Sequence, residues 1–506
     1  VTGPRPQPSD ICLILEGSYP YVSGGVSSWV QDLIKAQAPL RFTIMALVAN
    51  SAPRQRRYEL PDNVDAVIDV PLSGPRRVGT AIGAGPLARD ITPMLLEIEK
   101  GAGLPPFTRL VKRLAQVHGR LGSPALMNSE AAWSMITAMY RENAPESSFL
   151  EFFWTWRALH GGLFVALLCP LPPARMYHTI STGYAGLVAA RAAIETGRPA
   201  VLTEHGIYTN ERRIEITMAE WLYDAADDWF AIEAPRWDLR QLWMQSFQSY
   251  ARICYEACTE ITTLFGGNQR LQLADGAPAD RLRIIPNGID AAMYGAIERS
   301  VEPRRPCIAL IGRVVPIKDV KTYIRAVDAL RRSVPDVEAL ILGPDDEDAE
   351  YAEECRTLVS YLGLENHVKF LGRVRIADYL GRIDVLALTS ISEAQPLVIL
   401  EAGAAGVPSV TSDVGACREM IEGPATENPP LGHGGAVVGL SSPVATAEAL
   451  SRLLLDRDWW QQCSAAIRKR VNRSYNKTVI DRVYGTLYER MIAAPDRDPR
   501  ELAGAD

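Results

Sequence analysis

The chain is 506 residues long, 47% hydrophobic and 22% charged, enough apolar material for two or three buried cores. Its net charge of −7 excludes a general electrostatic footprint for nucleic acid and leaves room only for a local basic pocket. The longest apolar stretch, near Leu163 to Leu171, falls far short of the ~20 residues that a membrane-spanning helix requires.

The first nine residues are polar and proline-rich, with no secretory pattern. The expectation is a cytoplasmic protein in a reducing compartment, serving any membrane process from the inner face of the cytoplasmic membrane. The eight cysteines are scattered, several on apolar runs. Cys254 and Cys258 form a lone i, i+4 pair without nearby histidine partners, so buried free thiols are expected rather than zinc.

D-I-C-L-I-L-E, from Asp10, reads as a buried strand. A glycine loop at Gly24-Gly25 follows, then an amphipathic run to Lys35. R-F-T-I-M-A-L-V and V-D-A-V-I-D-V are further strands. From Pro86 to Pro170 the pattern turns helical, with Trp133, Met139, Phe152, Trp154 and Trp156, as an insertion in an α/β domain. These tryptophans are expected chiefly as core, with acceptor or partner binding as the other reading. Strands resume at R-M-Y-H-T-I and A-V-L-T-E-H, and E-I-T-T-L with R-L-R-I-I-P-N-G closes this half.

The segment 290–306 is polar and holds Pro303 and Pro306, which predicts a hinge. Six strand-like pulses follow, C-I-A-L-I-G-R, V-E-A-L-I-L-G, H-V-K-F-L-G, D-V-L-A-L-T, S-V-T-S and G-A-V-V-G. Helices between them mark a doubly wound parallel sheet. The expected organisation is a domain 1–289 carrying the insertion at about 86–170, a linker 290–306 and a second Rossmann-like domain 307–470. A helical tail 471–506 is expected to cross back to the first domain. Ligands in such sheets lie outside the carboxyl ends of the strands, where Arg313, Glu393, Asp413 and His178 are expected.

The most informative stretch is S-I-S-E-A-Q-P-L-V-I-L-E-A-G-A-A-G-V-P, from Ser390 to Pro408. Glu393 falls in a loop after an apolar strand, and Glu401 falls eight positions on, inside an apolar helical run. A helix start between them supplies free amide donors, and each carboxylate can accept paired hydroxyl hydrogens. An elongated ligand with hydroxyls at two places, such as a sugar nucleotide, suits that ledge. Arg313 and Lys318, in G-R-V-V-P-I-K-D, can hold a diphosphate by fork and point charge; surface charge flanking a turn is the blander reading. Gly24 and Gly25 let backbone amides approach a phosphate, or they form a plain tight turn. His178 and His205 each end a strand and are candidates to touch substrate. Glu211, Arg212 and Arg213 read either as a solvated helix start or as a hold for an acceptor.

Two features read as decoys. G-A-G-P-L-A at Gly83 to Ala88 fits a relaxed dinucleotide fingerprint, yet no apolar strand precedes it and Pro86 sits inside. The acidic run from Asp345 to Asp348 precedes a helix, where acids match the positive end of the dipole. A solvated loop is expected there rather than a metal site.

The second half resembles the glycosyltransferases of family 4 through I-G-R-V-V-P-I-K, H-V-K-F-L-G, the S-x-x-E-x7-E-A-x-A-x-G-x-P block and I-I-P-N-G-I-D. The first half resembles the PelF-type transferases of Pel exopolysaccharide synthesis through L-E-G-S-Y-P-Y-V-S-G-G-V-S-S-W-V, T-E-H-G-I-Y and G-G-N-Q-R-L-Q-L-A-D-G-A. The resemblance implies an α/β GT-B fold, two Rossmann-like domains facing a cleft, and a UDP-sugar-dependent retaining hexosyltransferase that works without a bound metal or a permanent cofactor. The donor would be UDP-glucose or UDP-N-acetylgalactosamine. The acceptor would be an oligo- or polysaccharide and the partner an inner-membrane export complex, in a biofilm-forming pathway. It also implies roles. Arg313 and Lys318 would neutralise the diphosphate, Glu393 would hold sugar hydroxyls and Glu401 the ribose. Amides around Gln395, Pro396 and Leu397 would meet sugar and phosphate, Gly25 would close over them, and His178 or His205 would lie near the donor sugar. Members often carry glycine followed by phenylalanine or leucine where this chain has Ala394-Gln395, which leaves the donor sugar open. An epimerase or phosphorylase on the same frame, and a non-catalytic UDP-binding scaffold, stay as alternatives.

Overall fold

The computed structural model describes residues 8–73, 83–117, 123–218, 239–300 and 304–496. Most of the proline-rich start, residues 301–303 of the expected linker and the end of the expected tail lie outside them. The chain forms two compact units. The first runs to Thr263, adds Gln269–Arg283 and takes up the chain again from Tyr484; the second comprises Leu264–Asn268 and Ile284–Val483.

The first unit holds a seven-stranded sheet in the order β3-β2-β1-β4-β5-β6-β7. Its strands are β1 (Ser9–Glu16), β2 (Phe42–Val48), β3 (Val64–Pro71), β4 (Ala174–Thr179), β5 (Ala200–Glu204), β6 (Glu260–Thr263) and β7 (Leu282–Ile284). Strands β3 through β6 pair in parallel. Ile11 to Leu15 are wholly buried, because a parallel strand is covered on both faces and so reads as an unbroken apolar run. Helix α1 (Gly25–Ala36) follows β1. The expected insertion is α2 (Ala84–Glu99), α3 (Leu104–Ala115), α4 (Ser123–Met127), α5 (Glu130–Asn143) and α6 (Phe149–Leu168). Trp156, Phe152 and Met139 are core, whereas Trp133 and Trp154 are exposed; only part of that aromatic set packs inside. Helices α7 (Tyr184–Thr196), α8 (Tyr208–Met218) and α9 (Leu239–Ala257) complete the unit, and α10 (Gly266–Ala274) begins in the second unit and ends in the first. All eight cysteines are buried and free.

The second unit is a six-stranded, all-parallel sheet in the order β10-β9-β8-β11-β12-β13. Its strands are β8 (Cys307–Ile311), β9 (Glu338–Leu342), β10 (Val368–Gly372), β11 (Val385–Leu388), β12 (Ser409–Ser412) and β13 (Gly435–Val438). The helices are α11 (Ala291–Gly295), α12 (Val320–Leu330), α13 (Ala349–Tyr361), α14 (Ala377–Leu380), α15 (Leu397–Ala404), α16 (Cys417–Glu422), α17 (Pro443–Leu455) and α18 (Arg457–Ser474). Strand order reverses between β8 and β11, and it is at the carboxyl ends of strands flanking such a reversal that doubly wound sheets bind ligands.

One feature differs from the sequence reading. The expected linker 290–306 is built into the second unit rather than hanging between units. Asp290 caps α11 by accepting from the Met293 amide at 2.9 Å, Ala291 is buried, and Arg299 pairs with Asp384 at 2.8 Å. The chain instead leaves the first unit at Arg283. Helix α19 (Lys477–Ala493) starts in the second unit and ends in the first. There Tyr484 and Tyr488 are buried beneath the first sheet's strands, within hydrogen-bonding distance of Thr203 at 3.4 Å and His178 at 2.8 Å.

Candidate active site

The loop after β8 begins with Gly312, whose amide donates to Leu342 O at 2.9 Å. Gly343 faces it at φ +156, and a Cβ there would lie 1.9 Å from Gly312 O, so the two strand-end loops touch backbone to backbone. Arg313 follows, half exposed, with its guanidinium paired to Glu347. Asp348, from the same acidic run, caps α13 by accepting from the Tyr351 amide at 3.0 Å, and Asp345 pairs with Arg356. The run is thus a capping and pairing loop, linked to the candidate site through Glu347.

Lys318 ends a short 3-10 turn (Pro316–Lys318), and its ammonium group meets the Glu393 carboxylate. Both side chains are largely buried, at 21% and 14% exposure, so the pair is only weakly screened by solvent. Ser390 adds a hydrogen bond to Glu393 Oε1 at 2.7 Å. The turn and the loop after β11 are fastened together. Thr389 Oγ1 donates to Lys318 O at 3.1 Å and Asp319 O at 3.0 Å, and the Ile391 amide donates to Ile317 O at 3.0 Å. Asp319 adopts the left-handed conformation at φ 44 while capping α12, and its second carboxylate oxygen accepts from Ser441 at 2.9 Å. Sequence spacing places Arg313 and Lys318 as a duo; the structure joins Lys318 to Glu393 and hands Arg313 to Glu347.

The Glu393–Pro396 loop is held from two sides. Ala416 N donates to Ala394 O at 2.8 Å. The neighbouring Gly415, at φ +51, leaves no room for a Cβ, which would lie 2.1 Å from Glu393 O. From the other side the Asn287 amide donates to Gln395 Oε1 at 2.7 Å. Helix α15 then starts at Leu397 with Pro396 as its N-cap and no side-chain cap, leaving first-turn amides available to an anion or hydroxyl. Glu401 lies inside α15. Burial pushes its pKa up, partly offset by a hydrogen bond from the Tyr294 hydroxyl on α11. Its Oε2 is buried without a hydrogen-bond partner among the described residues. Tyr294 escaped the sequence reading because its five-residue helix sits in the stretch read as linker.

In the first unit, Gly24 is the N-cap of α1 and Gly25 its first residue. A Cβ at either would meet nothing within 4 Å, so packing does not demand glycine there. His205 directly follows β5, is 9% exposed, and packs edge-on against Trp29 at 4.5 Å between ring centres. Burial lowers its pKa to about 4, so the ring is neutral at pH 7. His178 corrects the expectation. It lies within β4, fully buried, with Nδ1 2.8 Å from the Tyr488 hydroxyl and Nε2 2.9 Å from Thr203 Oγ1. Desolvation brings its pKa down to about 3. With both nitrogens engaged inside the protein, it is a core histidine and has no edge left for a ligand.

Two carboxylates at strand ends were not singled out from the sequence. Glu16, at the end of β1, accepts from the Ala185 amide at 3.1 Å. Glu204, at the end of β5, is fully buried, accepts from Tyr255 and Gln272 at 2.8 Å each, and is pushed up to about 7 by burial. The signal was present in L-E-G and T-E-H, where an acid directly follows an apolar strand.

Residues 9–280, just over half of the chain, match the family described as "Domain of unknown function (DUF3492)", and residues 305–456 match "Glycosyl transferases group 1". The D-inositol 3-phosphate glycosyltransferase of Nocardia farcinica (strain IFM 10152) is 30% identical over 196 residues, 36% of this chain and 42% of its own length. The GDP-mannose-dependent alpha-(1-6)-phosphatidylinositol monomannoside mannosyltransferase of Mycobacterium tuberculosis (strain CDC 1551 / Oshkosh) is 28% identical over 236 residues, 43% of this chain and 58% of its own length. The chain spans about half the length of the curated relatives it matches. In fold it is similar to Anabaena Alr3699/HepE, solved in complex with UDP, with a TM-score of 0.57 at 14% identity over 95% of this chain and 100% of that one. Among the described residues, no helix is long and apolar enough to cross a membrane. The chain belongs to the DUF3492 family, its residues 305–456 match the group 1 glycosyl transferases, and its fold is GT-B.

Proposed function

We propose that the chain is a retaining glycosyltransferase that moves a hexose or N-acetylhexosamine from a UDP-sugar to a growing polysaccharide of the Pel type. The observation that carries this reading is the Lys318–Glu393 pair at the strand-order reversal of the second sheet, beside an uncapped helix start. Breaking the anomeric C–O bond leaves both bonding electrons on the diphosphate oxygen. Lys318 meets that growing negative charge, and Arg313 joins it once released from Glu347. The acceptor hydroxyl oxygen bonds to the anomeric carbon on the face the diphosphate leaves, and its proton passes to the departing phosphate oxygen. The products are the new glycoside and free nucleoside diphosphate, with no covalent nucleophile required. Glu393 holds the sugar hydroxyls, and the open oxygen of Glu401 suits a ribose hydroxyl.

The Anabaena protein was solved with UDP and the mycobacterial relative is named for GDP-mannose, so the base is the first choice to test. Calorimetry with UDP, GDP and ADP, followed by mass spectrometry of nucleotide release from UDP-glucose and UDP-N-acetylgalactosamine with and without saccharide, checks the reading. Binding of UDP and saccharide-stimulated release of UDP are expected. No uptake of any nucleoside diphosphate at millimolar concentration would overturn it. The resemblance to Pel-type transferases is what supports a cytoplasmic setting with an inner-membrane export complex as partner.

A further inference from the structure

Gln395 is 6% exposed, and its side chain has a fixed sense. The Asn287 amide is a donor and lies 2.7 Å from one end of the Gln395 carboxamide, so that end must be the oxygen. The other end, Nε2, is a buried donor with no partner among the described residues. Asn287 Oδ1 is likewise buried without a hydrogen-bond partner among the described residues, on the residue whose backbone amide bonds the Gln395 carboxamide. Buried donors and acceptors left unsatisfied are costly, and in a native structure each calls for a partner such as a ligand or an ordered water. Both lie against the loop that runs from Glu393 to the start of α15. Gly415 and Ala416 anchor that loop from the opposite side, so it cannot retreat to satisfy them internally.

Resting on the reading of this loop as the donor-sugar site, we propose that the Gln395 and Asn287 side chains together read one substituent of the donor sugar that both donates and accepts a hydrogen bond. A ring hydroxyl has that character, and so does an acetamido group with its N–H and C=O. Gln395 Nε2 donates to the substituent's oxygen, and Asn287 Oδ1 accepts its O–H or N–H. An aromatic or aliphatic side chain at position 395 would line the same place without this polarity. The pair therefore sets which sugar is accepted, separately from how the nucleotide is held.

The full chain is assayed as wild type, Gln395→Met and Asn287→Ala, with UDP-glucose and UDP-N-acetylgalactosamine as donors and UDP alone as binding control. Gln395→Met keeps the length of the side chain but removes both the Nε2 donor and the Oε1 that accepts from the Asn287 amide; Asn287→Ala removes only Oδ1 and keeps the backbone amide, so it isolates the reading group. The expected result is a loss of about tenfold or more in kcat/KM for the preferred donor, a smaller loss for the other, and UDP affinity within about threefold of wild type. Preference for UDP-glucose assigns the pair to a hydroxyl, and preference for UDP-N-acetylgalactosamine assigns it to the acetamido group. Unchanged donor preference in both variants, or a fall in UDP affinity equal to the fall in kcat/KM, would overturn the inference. Failure of the wild type to bind UDP would instead overturn the underlying assignment of the site.

Discussion

Lys318 and Glu393, seventy-five positions apart in the chain, form an ion pair at the point where strand order in the second sheet reverses. Each is the other's partner in the structure, and the proposed function gives the two different tasks. Truncating one therefore affects nucleotide and sugar differently. Glu393→Ala is expected to lower sugar transfer by about 100-fold or more while leaving UDP affinity equal to or tighter than wild type, because Lys318 is released. Lys318→Ala is expected to weaken UDP binding and transfer together. Calorimetry with UDP beside steady-state transfer separates the two; parallel losses in Glu393→Ala would remove the assignment of Glu393 to the sugar.

Arg313 is engaged by Glu347, a half-exposed pair of the kind that contributes at most about 1 kcal/mol. Glu347→Gln should free the guanidinium and tighten UDP by up to about fivefold, with the gain shrinking as salt is raised. A weaker UDP complex in this variant would show that Arg313 does not reach the nucleotide.

Gly415 permits an approach that no other residue can make. Gly415→Ala is expected to lose at least about 2 kcal/mol of stability, read as a fall in the denaturation midpoint, and to shift the Glu393–Pro396 loop so that transfer drops further than stability alone explains. A variant with wild-type midpoint and rate would contradict the close packing.

Glu99 ends α2 at 7% exposure, accepts from Asn143, and is pushed up to about 8 by burial. Between its ordinary value of 4.5 and about 8, the folded state binds more protons at this group than the unfolded state does. Its contribution to stability is therefore complete below 4.5 and is lost as pH rises through 8. Buried His160, lowered to about 4, has the opposite slope but acts only below about 6.5, and Glu204, raised to about 7, is already half titrated at pH 7 and adds only a smaller share above it. From pH 7 to 8.5 the melting temperature should fall, and Glu99→Gln should remove most of that slope. Equal slopes in variant and wild type would refute the assignment.

Central strands such as β2, β5 and β8 were legible in the sequence because parallel strands buried on both faces read as uninterrupted apolar runs, whereas the edge strands β3 and β10 are partly exposed and read as broken ones. Among the candidate residues, Lys318 and Glu393 stood out because each follows an apolar strand within a few positions, and the structure brings the two together. What stayed hidden depends on partners distant in sequence. R-M-Y-H-T-I does not reveal that His178 belongs to the core, because the tyrosine that bonds it comes 310 positions later. Arg313 looked free because Glu347 was read as solvated. Gln395 stood out as an oddity in a motif, but its orientation depends on a backbone amide of the chain crossing at Asn287.

Tyr484 and Tyr488 give the first sheet a dependence on the far end of the polypeptide. A ribosome that has released residues 1–283 has supplied every strand of that sheet but not the two phenols that bond Thr203 and His178. The amino-terminal half must wait, incompletely plugged, until α19 emerges. Expressed by itself it should be prone to aggregate, whereas co-expression with a peptide spanning Lys477–Ala493 should restore it.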